Sequence, residues 1–530
     1  MNTRRTLLSL LSILLAFTHS PADRRAGAKA APLQGLTLDL LVTRGKVVDG
    51  SGGAPKVADV GVRGDRIVFV GDAARARLRA ARTIDAAGLV VAPGFIDPHT
   101  HTFEDLSDPA RRANENYLMQ GVTTVFTGND GGGPFRVAEA LSAWGRGGIG
   151  TNAALLVGHG TVRREAMGMS DAAPTPAQLA RMKGLVKRAM DGGAFGMSTG
   201  LYYAPGSFAK TEEVIELARV VAAAGGVYDS HMRDEDSYSI GLLGSVEETI
   251  RIGREAHIPV HISHIKALGA EVWGKSAEAI RLIRKARAEG VEVTADQYPY
   301  TASGTSITAA LVPRWAEAGG AEELRRRIED PDVRPRLAAD MEANLRRRGG
   351  ARSLLITSAR DRALVGKTLE EVAKARGVTA VEAALELAKP GGAALASFNM
   401  SEADIENFMV QEFVATGSDG SAGHPRKYGT FPRKLREYVY NKKLLTLAAA
   451  VRAGSALTAE WFRLPERGLL REGYFADLVV FDEATVADRA TYERPELLSV
   501  GMRYVVVNGR VVVEGGKYNG ALAGRPLSKR

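Results

Sequence analysis

Hydrophobic and polar residues follow one pattern at both ends of the chain and another in the middle. Over Thr37–Val70 and Phe475–Tyr518, β-branched and polar residues alternate in short stretches, and Asn508-Gly509 is typical of a hairpin turn. In between, short apolar runs alternate with helical patterns such as Pro176–Met190 and Ala277–Glu289. The ends therefore predict antiparallel strands, and the middle predicts alternating strands and helices.

The apolar runs of the middle region number eight. In chain order they are VVAPGFID, VTTVFTG, AALLVG, FGMSTG, GVYDSHM, PVHISHI, VEVTADQY and FVATGSD. Eight strands separated by helices predict an α/β fold in which a closed (β/α)8 barrel of the TIM type forms the main body. A doubly wound open sheet is the alternative architecture.

The two β-rich ends predict a second, smaller domain. Strands from opposite termini can pair, so we expect residues 31–92 and 455–530 to form a composite β-sandwich, with the barrel over 93–454. The gap between the seventh and eighth runs is the longest, and Trp315–Arg348 within it is charged and helical in pattern. This predicts an insert lobe over about 306–360, in the position of a lid over the barrel.

Residues 1–30 have the pattern of a signal peptide. Arg4 and Arg5 precede an apolar run, Leu7–Phe17, and the segment ends in Ala28-Lys29-Ala30, a cleavage-site pattern. The run is too short for a lasting membrane anchor. The paired arginines also resemble a twin-arginine signal. We therefore expect a periplasmic or secreted protein, with a buried N-terminal helix as the alternative.

Composition and charge narrow the classes of function. The chain is 45% hydrophobic and 25% charged, which is typical of a globular protein, and it contains no cysteine. Disulfides and zinc-thiolate sites are therefore excluded. The net charge is +9, of which residues 1–30 contribute +4, and no basic block is interleaved with aromatic residues. This argues against nucleic acid as a partner and favours small anionic substrates.

Metal-ligand residue types recur where the predicted barrel strands end. A lone His-x-His is more often a pair of surface or core histidines, but in an extended segment its two imidazoles share one face. Further ligand types follow the second, fifth, sixth and eighth strands. The full set is His99, His101, Asp130, His231, His264 and Asp419. Because the ends of barrel strands converge, we predict a metal site there.

Three other histidines are expected to have structural or supporting roles. They are His159, His257 and His261. His261 precedes His264 by three residues, so in a strand the two side chains point to opposite faces. Only one of that pair can be a ligand.

Six motifs together resemble the D-aminoacylase (N-acyl-D-amino-acid deacylase) branch of the amidohydrolase superfamily. They are PGFIDPHTH, STGLYYAPG, YDSHMRDE, HISHIK, DQYPYTAS and GSDG with HPR and GTFPR. The resemblance covers nearly the whole chain after the signal segment. It implies a metal-bearing (β/α)8 barrel with a small β-sandwich and an insert lobe, in agreement with the hydrophobic pattern.

The resemblance also implies roles for individual residues. His231 and His264 correspond to ligands of a tight zinc ion, and His99, His101 and Asp419 surround a second position that is weaker or empty. Lys266, Tyr298 and Arg426 resemble the residues that fix the substrate carboxylate. Taken singly, these three could be a solvated charge, a core aromatic ring and a surface charge. His424 could contribute to the site or cap a loop.

The chain departs from the family pattern at two positions. Asp130, in GNDG, stands where the family usually has a cysteine ligand, and a carboxylate is a harder donor that also suits manganese or cobalt. Alternatively, Asp130 is only a turn residue. Gly304, between Ser303 and Thr305, stands where the family has a substrate-contacting serine. FGMSTG contains no lysine, which disfavours relatives that use a carboxylated lysine on the fourth strand.

These features predict a hydrolase that uses one or two divalent ions, zinc or else manganese or cobalt. The resemblance implies N-acyl-D-amino acids as its substrates, and we expect Asp419 to be the base that takes a proton from the attacking water. No serine or cysteine lies in a nucleophile motif such as G-x-S-x-G. A D-specific dipeptidase is the nearest alternative, and a non-catalytic solute-binding barrel is the alternative from another class. The oligomeric state is not predicted.

Overall fold

The computed structural model of the protein describes residues 37–388 and 392–529, so the predicted signal peptide lies outside the described residues. The described strands, in chain order, are β1 (Thr37–Val47), β2 (Lys56–Arg63), β3 (Arg66–Gly71), β4 (Arg79–Asp85), β5 (Val90–Pro93), β6 (Phe95–Thr100), β7 (Val122–Thr127), β8 (Asn152–Gly158), β9 (Gly196–Gly200), β10 (Val227–His231), β11 (Val260–Ile262), β12 (Val293–Gln297), β13 (Ala302–Ser306), β14 (Leu354–Ala359), β15 (Ala393–Phe398), β16 (Val414–Thr416), β17 (Leu478–Phe481), β18 (Met502–Val507), β19 (Arg510–Glu514) and β20 (Lys517–Tyr518).

The described α-helices, in chain order, are α1 (Phe103–Ser107), α2 (Glu115–Leu118), α3 (Val137–Gly147), α4 (His159–Met167), α5 (Pro176–Asp191), α6 (Thr211–Ala223), α7 (Gly241–Ala256), α8 (Ser276–Ala288), α9 (Ile307–Leu311), α10 (Ala321–Glu329), α11 (Arg334–Arg347), α12 (Leu369–Arg376), α13 (Ala380–Leu387), α14 (Glu402–Met409), α15 (Arg426–Arg433), α16 (Leu447–Ala453) and α17 (Ala456–Trp461). A π-helical segment, Lys434–Asn441, continues α15. Among the described residues, no helix is both long and apolar enough to cross a membrane.

The predicted (β/α)8 barrel is confirmed. Its eight parallel strands are ordered β6, β7, β8, β9, β10, β11, β12 and β16, and a parallel bridge between Thr100 and Gly420 joins the first strand to the segment after the last. All eight predicted runs supply a barrel strand. The first run is split at Gly94, because β5 pairs with strands of the second domain and β6 belongs to the barrel.

The smaller domain combines both ends of the chain, as predicted. Strands β1–β5 and β17–β20 form one nine-stranded sheet, in which β5 pairs with β1 on one side and with β17 on the other. Its apolar core takes Val42, Val60 and Ile67 from the N-terminal part and Val480 and Val506 from the C-terminal part. The two ends therefore fold as one unit.

The insert lobe lies between the seventh and eighth barrel strands, but it is larger than the sequence pattern indicated. Strand β15 pairs antiparallel with both β13 and β14, so the lobe's sheet reaches Phe398 instead of ending near residue 360. Helices α9–α13 surround this sheet with a separate apolar core that includes Leu337, Met341 and Leu369. The charged helical pattern revealed only the middle of the lobe, because its closing strand is short and apolar.

Helix α17, which falls in the residue range predicted for the small domain, packs against the barrel. The ring of Phe462 stacks on Phe126 at 3.6 Å between centroids, and Trp461 stacks on His261 at 4.2 Å. Phe195 and Leu156 complete this apolar cluster beneath the barrel strands. The predicted domain boundary at residue 454 therefore separates α17 from the barrel on which it packs.

Candidate metal centre and active site

Six ligand-type side chains meet at the carboxyl ends of the barrel strands. They form two groups that share one member: His99, His101, Asp130 and Asp419, and Asp130, His231 and His264. Oδ1 of Asp130 lies 3.4 Å from Nε2 of His99 and 3.5 Å from Nε2 of His264. Oδ1 also lies 3.5 Å from Nδ1 of His231, and Oδ2 lies 3.5 Å from Nε2 of His101. Asp130 therefore bridges the two groups.

The donor set of these groups suits a divalent cation. Imidazole nitrogens and carboxylate oxygens are ligands for zinc and for manganese or cobalt. Nε2 of His99, Nδ1 of His231 and Oδ1 of Asp130 are buried with no hydrogen-bond partner among the described residues. Buried polar atoms are rarely left without a partner, so these converging atoms fit a site for a bound ion.

The electrostatics of the cluster also favour a cation. Burial lowers the pKa of His101, but the carboxylates of Asp130 and Asp419 outweigh burial and raise that pKa to about 9. Burial also lowers the pKa of His264, yet the surrounding carboxylates raise it to about 10. Among the four clustered histidines, only His231 has its pKa lowered, with burial as the main cause. The carboxylates therefore create a field that stabilises positive charge, whether carried by protons or by metal.

Three of the clustered residues adopt the left-handed backbone conformation that non-glycine residues usually avoid. The φ angles are 55° at Asp130, 36° at His264 and 46° at Asp419. Such conformations cost about 1–3 kcal/mol each and persist where the surrounding structure fixes them. Each residue follows the end of a barrel strand, so the chain reverses sharply at the point where its side chain enters the site.

The turn that carries Asp130 is held by the neighbouring strand β9. Oγ of Ser198 donates to the carbonyl oxygen of Gly128 at 2.5 Å and accepts from the N–H of Gly131 at 3.1 Å. A Cβ atom at Gly133 would lie 2.0 Å from the carbonyl oxygen of Leu156, so only glycine fits there. The turn interpretation and the ligand interpretation of Asp130 are thus compatible, because the turn places the carboxylate in the cluster.

Three buried aspartates beneath the cluster were missed by the sequence analysis. Oδ1 of Asp97 accepts from the N–H of His99 at 3.1 Å, and Oδ1 of Asp296 accepts from the N–H of His264 at 3.0 Å. Asp229 accepts one hydrogen bond from the side chain of the residue before Asp130 and another from the side chain of the residue before His264. Burial raises the pKa of Asp97 to about 7. These carboxylates orient the backbone beside the ligand-type residues.

A signal for two of these aspartates was present in the sequence. Asp97 lies two residues before His99, and Asp229 lies two residues before His231. Residues two apart in a strand share a face, so both aspartates had to point to the same side as the histidines. An aspartate two residues before a histidine in an apolar run was the recognisable pattern.

A cavity of about 390 Å³ opens beside the cluster. Its lining includes His101, Asp130, His231, His264, Asp419, Lys266, Tyr298, Gly304, His424 and Arg426, together with Tyr202, Tyr203, Glu235 and Arg348. A larger groove of about 810 Å³ lies on the outside of the barrel between α6, α7 and α8, and it contains none of the clustered residues. The smaller cavity is therefore the candidate substrate site.

Arg426 lies next to Asp419 and is almost fully buried, with 1% of its surface exposed. Its Nη1 is 2.8 Å from Oδ2 of Asp419, and its Nη2 donates to Oγ of Ser421 at 3.1 Å. Its guanidinium carbon lies 4.5 Å from the ring centroid of Tyr298. Nη1 is thus engaged by Asp419, whereas Nε is buried and has no partner among the described residues. The structure leaves the buried Nε of Arg426 as a donor that an anion could use.

Lys266 is held by protein groups that the sequence analysis did not connect with it. Its Nζ donates to Oε1 of Glu235 at 2.6 Å and to the carbonyl oxygen of His264 at 2.8 Å, and it lies 2.6 Å from Nδ1 of the same histidine. Burial raises the pKa of Glu235, but Lys266 and the two nearby histidines lower it well below its usual range. Contact between Lys266 and a substrate carboxylate stays a prediction.

Tyr298 and His424 support Arg426 from two sides. Tyr298 stacks under the guanidinium and has 1% of its surface exposed. Nδ1 of His424 accepts from the N–H of Arg426 at 3.1 Å, and Nε2 lies 3.0 Å from the carbonyl oxygen of Ala302. This pattern requires a neutral imidazole with its proton on Nε2. His424 therefore links the loop that carries Arg426 to the first strand of the lobe.

The three remaining histidines of the described chain lie outside the cluster. His159 bonds Glu213 at 2.9 Å, and His261 bonds Asp296 at 3.0 Å and stacks on Trp461. His257 ends helix α7 in the left-handed conformation. Of the His261 and His264 pair, only His264 joins the cluster.

The protein has a parallel barrel with a cluster of histidines and aspartates at its carboxyl-terminal face. The barrel is joined to a β domain built from both chain ends. Together these features define the amidohydrolase class. The chain belongs to the Amidohydrolase family, whose model matches residues 82–513. It is 39% identical over 519 residues to the D-aminoacylase of Alcaligenes xylosoxydans xylosoxydans, covering 93% of this chain and 98% of that protein.

Solved structures give the same relationship. A crystal structure of D-aminoacylase matches with a TM-score of 0.80 at 37% identity, covering 93% of this chain and all 100% of the other. The N-acyl-D-glutamate deacylase of Bordetella bronchiseptica, complexed with zinc and a phosphonate inhibitor that mimics the tetrahedral intermediate, matches with a TM-score of 0.79 at 33% identity over 93% of this chain and 100% of that chain. The resemblance drawn from the six motifs is confirmed.

Proposed function

We propose that this protein is a metal-dependent hydrolase that cleaves the acyl amide bond of N-acyl-D-amino acids. The observation that carries the proposal is the position of Asp419. Its Oδ1 lies 3.0 Å from Nε2 of His101 in the cluster, and its Oδ2 lies 2.8 Å from Nη1 of Arg426. In an N-acyl-amino acid the scissile nitrogen and the carboxylate are bonded to the same carbon. A hydrolytic centre next to an anion-binding guanidinium suits that arrangement.

The cluster supplies the ligands for one or two divalent ions. Asp130, His231 and His264 would hold one ion, and Asp130 would share the second with His99, His101 and Asp419. A divalent ion bound to such residues supplies Lewis-acid activation of a carbonyl group and of a water molecule. Zinc fits the imidazoles, and the carboxylate of Asp130 also suits manganese or cobalt.

Asp419 is the proton carrier of the proposed reaction. Burial raises its pKa, but Arg426 and His264 lower it well below the usual range, so the carboxylate is ionised at neutral pH. An ionised carboxylate can take the proton of the attacking water on Oδ1 and return it to the leaving amine. Its hydrogen bond to His101 and its pairing with Arg426 fix the orientation of both oxygens.

Arg426 orients the substrate. Its buried guanidinium can bind a carboxylate through charge-assisted hydrogen bonds, which fix the position of the amino acid. The relatives named above act on D-configured substrates. When the α-carboxylate is bound at Arg426 and the amide at the cluster, two substituents of the α-carbon remain, the hydrogen and the side chain. The other walls of the cavity then distinguish these two, which supports a preference for one enantiomer.

The proposal is tested with one purified sample. Hydrolysis of N-acetyl-D-methionine, N-acetyl-L-methionine and a D-dipeptide is measured together with metal content. We expect turnover of the N-acetyl-D-amino acid, loss of activity after chelation, and recovery on adding zinc, manganese or cobalt. Faster hydrolysis of the D-dipeptide would identify a dipeptidase. A protein that holds metal but hydrolyses none of the three would contradict the proposal.

We also propose that the protein is exported. The support is the pattern of residues 1–30, in which Arg4 and Arg5 precede the apolar run Leu7–Phe17. Mass spectrometry of the protein from the periplasm or medium should give a mature chain that begins after Ala30. Replacing both arginines by lysine should block export through the twin-arginine route. A full-length chain retained in the cytoplasm would contradict export.

A further inference from the structure

A second buried arginine lines the cavity, and the insert lobe supplies it. Arg348 directly follows helix α11, which ends at Arg347, and 2% of its surface is exposed. We propose that Arg348 binds a second carboxylate of the substrate, so that the enzyme prefers N-acyl-D-amino acids with two negative charges. This inference rests on the proposed deacylase function and specifies its substrate class.

The contacts of Arg348 fix the side chain and leave one nitrogen unused. Nε donates to the carbonyl oxygen of Ala310 at 3.2 Å, and Nη2 donates to the hydroxyl of Tyr202 at 3.0 Å. Nη1 is buried and has no partner among the described residues. None of the ion pairs in the described part of the chain includes Arg348. A buried guanidinium without a counter-ion is costly, and a ligand carboxylate would remove that cost.

Asp236 is a carboxylate close enough to Arg348 for the guanidinium to lower its pKa, but the two do not form an ion pair. Both of its oxygens are buried without a hydrogen-bond partner among the described residues. Burial and the nearby carboxylate of Asp234 raise its pKa to about 7, so it carries only part of a charge at neutral pH. The guanidinium therefore keeps most of its positive charge available.

The two arginines approach the cluster from different sides. Arg426 lies beside Asp419, after the eighth barrel strand. Arg348 bonds Tyr202, whose ring lies 5.8 Å from the ring of His231 at the end of the fifth strand. With the α-carboxylate at Arg426 and the amide at the cluster, the parts of the substrate that remain are the amino-acid side chain and the acyl group.

Either of these parts could carry the second carboxylate. An acidic side chain, as in D-glutamate, and a dicarboxylic acyl group, as in succinyl, offer the same chemistry to a guanidinium. A site with a buried unpaired donor discriminates strongly against a neutral isostere, because binding the isostere leaves the donor without a partner. The neutral amide of each acid is therefore the right comparison.

The test uses the metal-loaded enzyme and two acid and amide pairs. These are N-acetyl-D-glutamate with N-acetyl-D-glutamine, and N-succinyl-D-methionine with N-succinamoyl-D-methionine. We expect kcat/KM to favour the acid by about 10- to 100-fold in one pair, which identifies the source of the carboxylate. Arg348→Met should reduce that ratio to about 1 and leave the amide substrates nearly unchanged, and Arg348→Lys should restore part of it.

Arg346→Met is the matched control. Arg346 lies in the last turn of α11, and its side chain is exposed and 3.8 Å from Glu342. Its replacement should leave both ratios as they are. Acid and amide substrates hydrolysed equally by the unchanged enzyme, or an equal loss on all four substrates in Arg348→Met, would overturn the inference and make Arg348 a support of the lobe. Hydrolysis of N-acetyl-D-methionine in the same sample shows that the deacylase proposal stands independently.

Discussion

The backbone N–H of Asp419 donates a hydrogen bond of 2.9 Å to the carbonyl oxygen of His99. Asp419 follows the last strand of the barrel, and His99 belongs to the first. The bond that helps close the barrel therefore also joins the two halves of the candidate site. Asp97 reinforces the junction, because its Oδ1 accepts from the N–H of Ser418 at 3.0 Å and from that of His99 at 3.1 Å. Barrel closure and site geometry therefore depend on the same contacts.

The first prediction concerns Asp419 as the base. Asp419→Asn keeps the size of the side chain but removes the proton acceptor, so kcat should fall by about 10²–10⁴-fold. The group formed by Asp130, His231 and His264 does not include Asp419, so metal bound there should remain. Stopped assays and metal analysis measure both quantities, with Asp191→Asn on the exposed end of α5 as control. Near-normal kcat with normal metal content would remove Asp419 from the mechanism.

The second prediction concerns Asp130 as the shared ligand. Asp130→Ala removes the carboxylate from both groups at once, so metal affinity and activity should fall together. Asp130→Cys supplies a thiolate at the same place and should retain zinc while binding manganese less well. Metal titration of the two variants measures the difference. If Asp130→Ala keeps full metal content and activity, the residue serves only the turn.

The third prediction concerns recognition of the α-carboxylate. Arg426→Lys keeps the charge but loses the planar fork, and a lost charge-assisted hydrogen bond costs about 1.5–3 kcal/mol. We expect kcat/KM for N-acetyl-D-methionine to fall by about 10- to 100-fold. The same substrate with its carboxylate converted to an amide should lose little. Equal losses on both substrates would mean that Arg426 maintains Asp419 or the loop instead of binding the substrate.

The fourth prediction concerns Gly304, where the chain departs from the family serine. A Cβ atom at this position would lie 2.9 Å from Nη2 of Arg426 and 3.1 Å from Oγ of Ser421. Gly304→Ser should therefore displace the guanidinium and raise KM, with a smaller effect on kcat. Gly304→Ala tests crowding without the hydroxyl and should raise KM similarly. A KM that falls in the serine variant would show that Arg426 has room to move and that the hydroxyl contacts the substrate.

Much of the fold could be predicted from local pattern. The eight apolar runs are long enough, and separated regularly enough, to indicate barrel strands, because strand formation here needs only short apolar segments buried on both faces. The six cluster residues were predictable because each lies near the end of such a run or within four residues after it. His99 and His101 even share a face within one segment, which alternation in a strand requires.

Other site features carried a weaker signal. Glu235 follows His231 by four residues in a charged segment, and nothing local indicates that it pairs with Lys266. The lobe's last strand, Ala393–Phe398, is short and apolar, and its partner β13 lies far away in sequence. Strands that pair across such a long sequence separation produce no periodic pattern in the sequence. The extent of the lobe could therefore be seen only in the tertiary structure.

The sequence by itself determined the barrel, the composite β domain and the identity of the ligand-type residues, because these follow from periodicities of a few residues. The tertiary structure alone decided that Asp130 bridges two groups, that Arg426 pairs with Asp419, and that Arg348 reaches the cavity from the lobe. Such relations arise when strand ends converge and when separate segments bury charge together. The driving forces are burial and electrostatic pairing between residues distant in sequence, which no local pattern encodes.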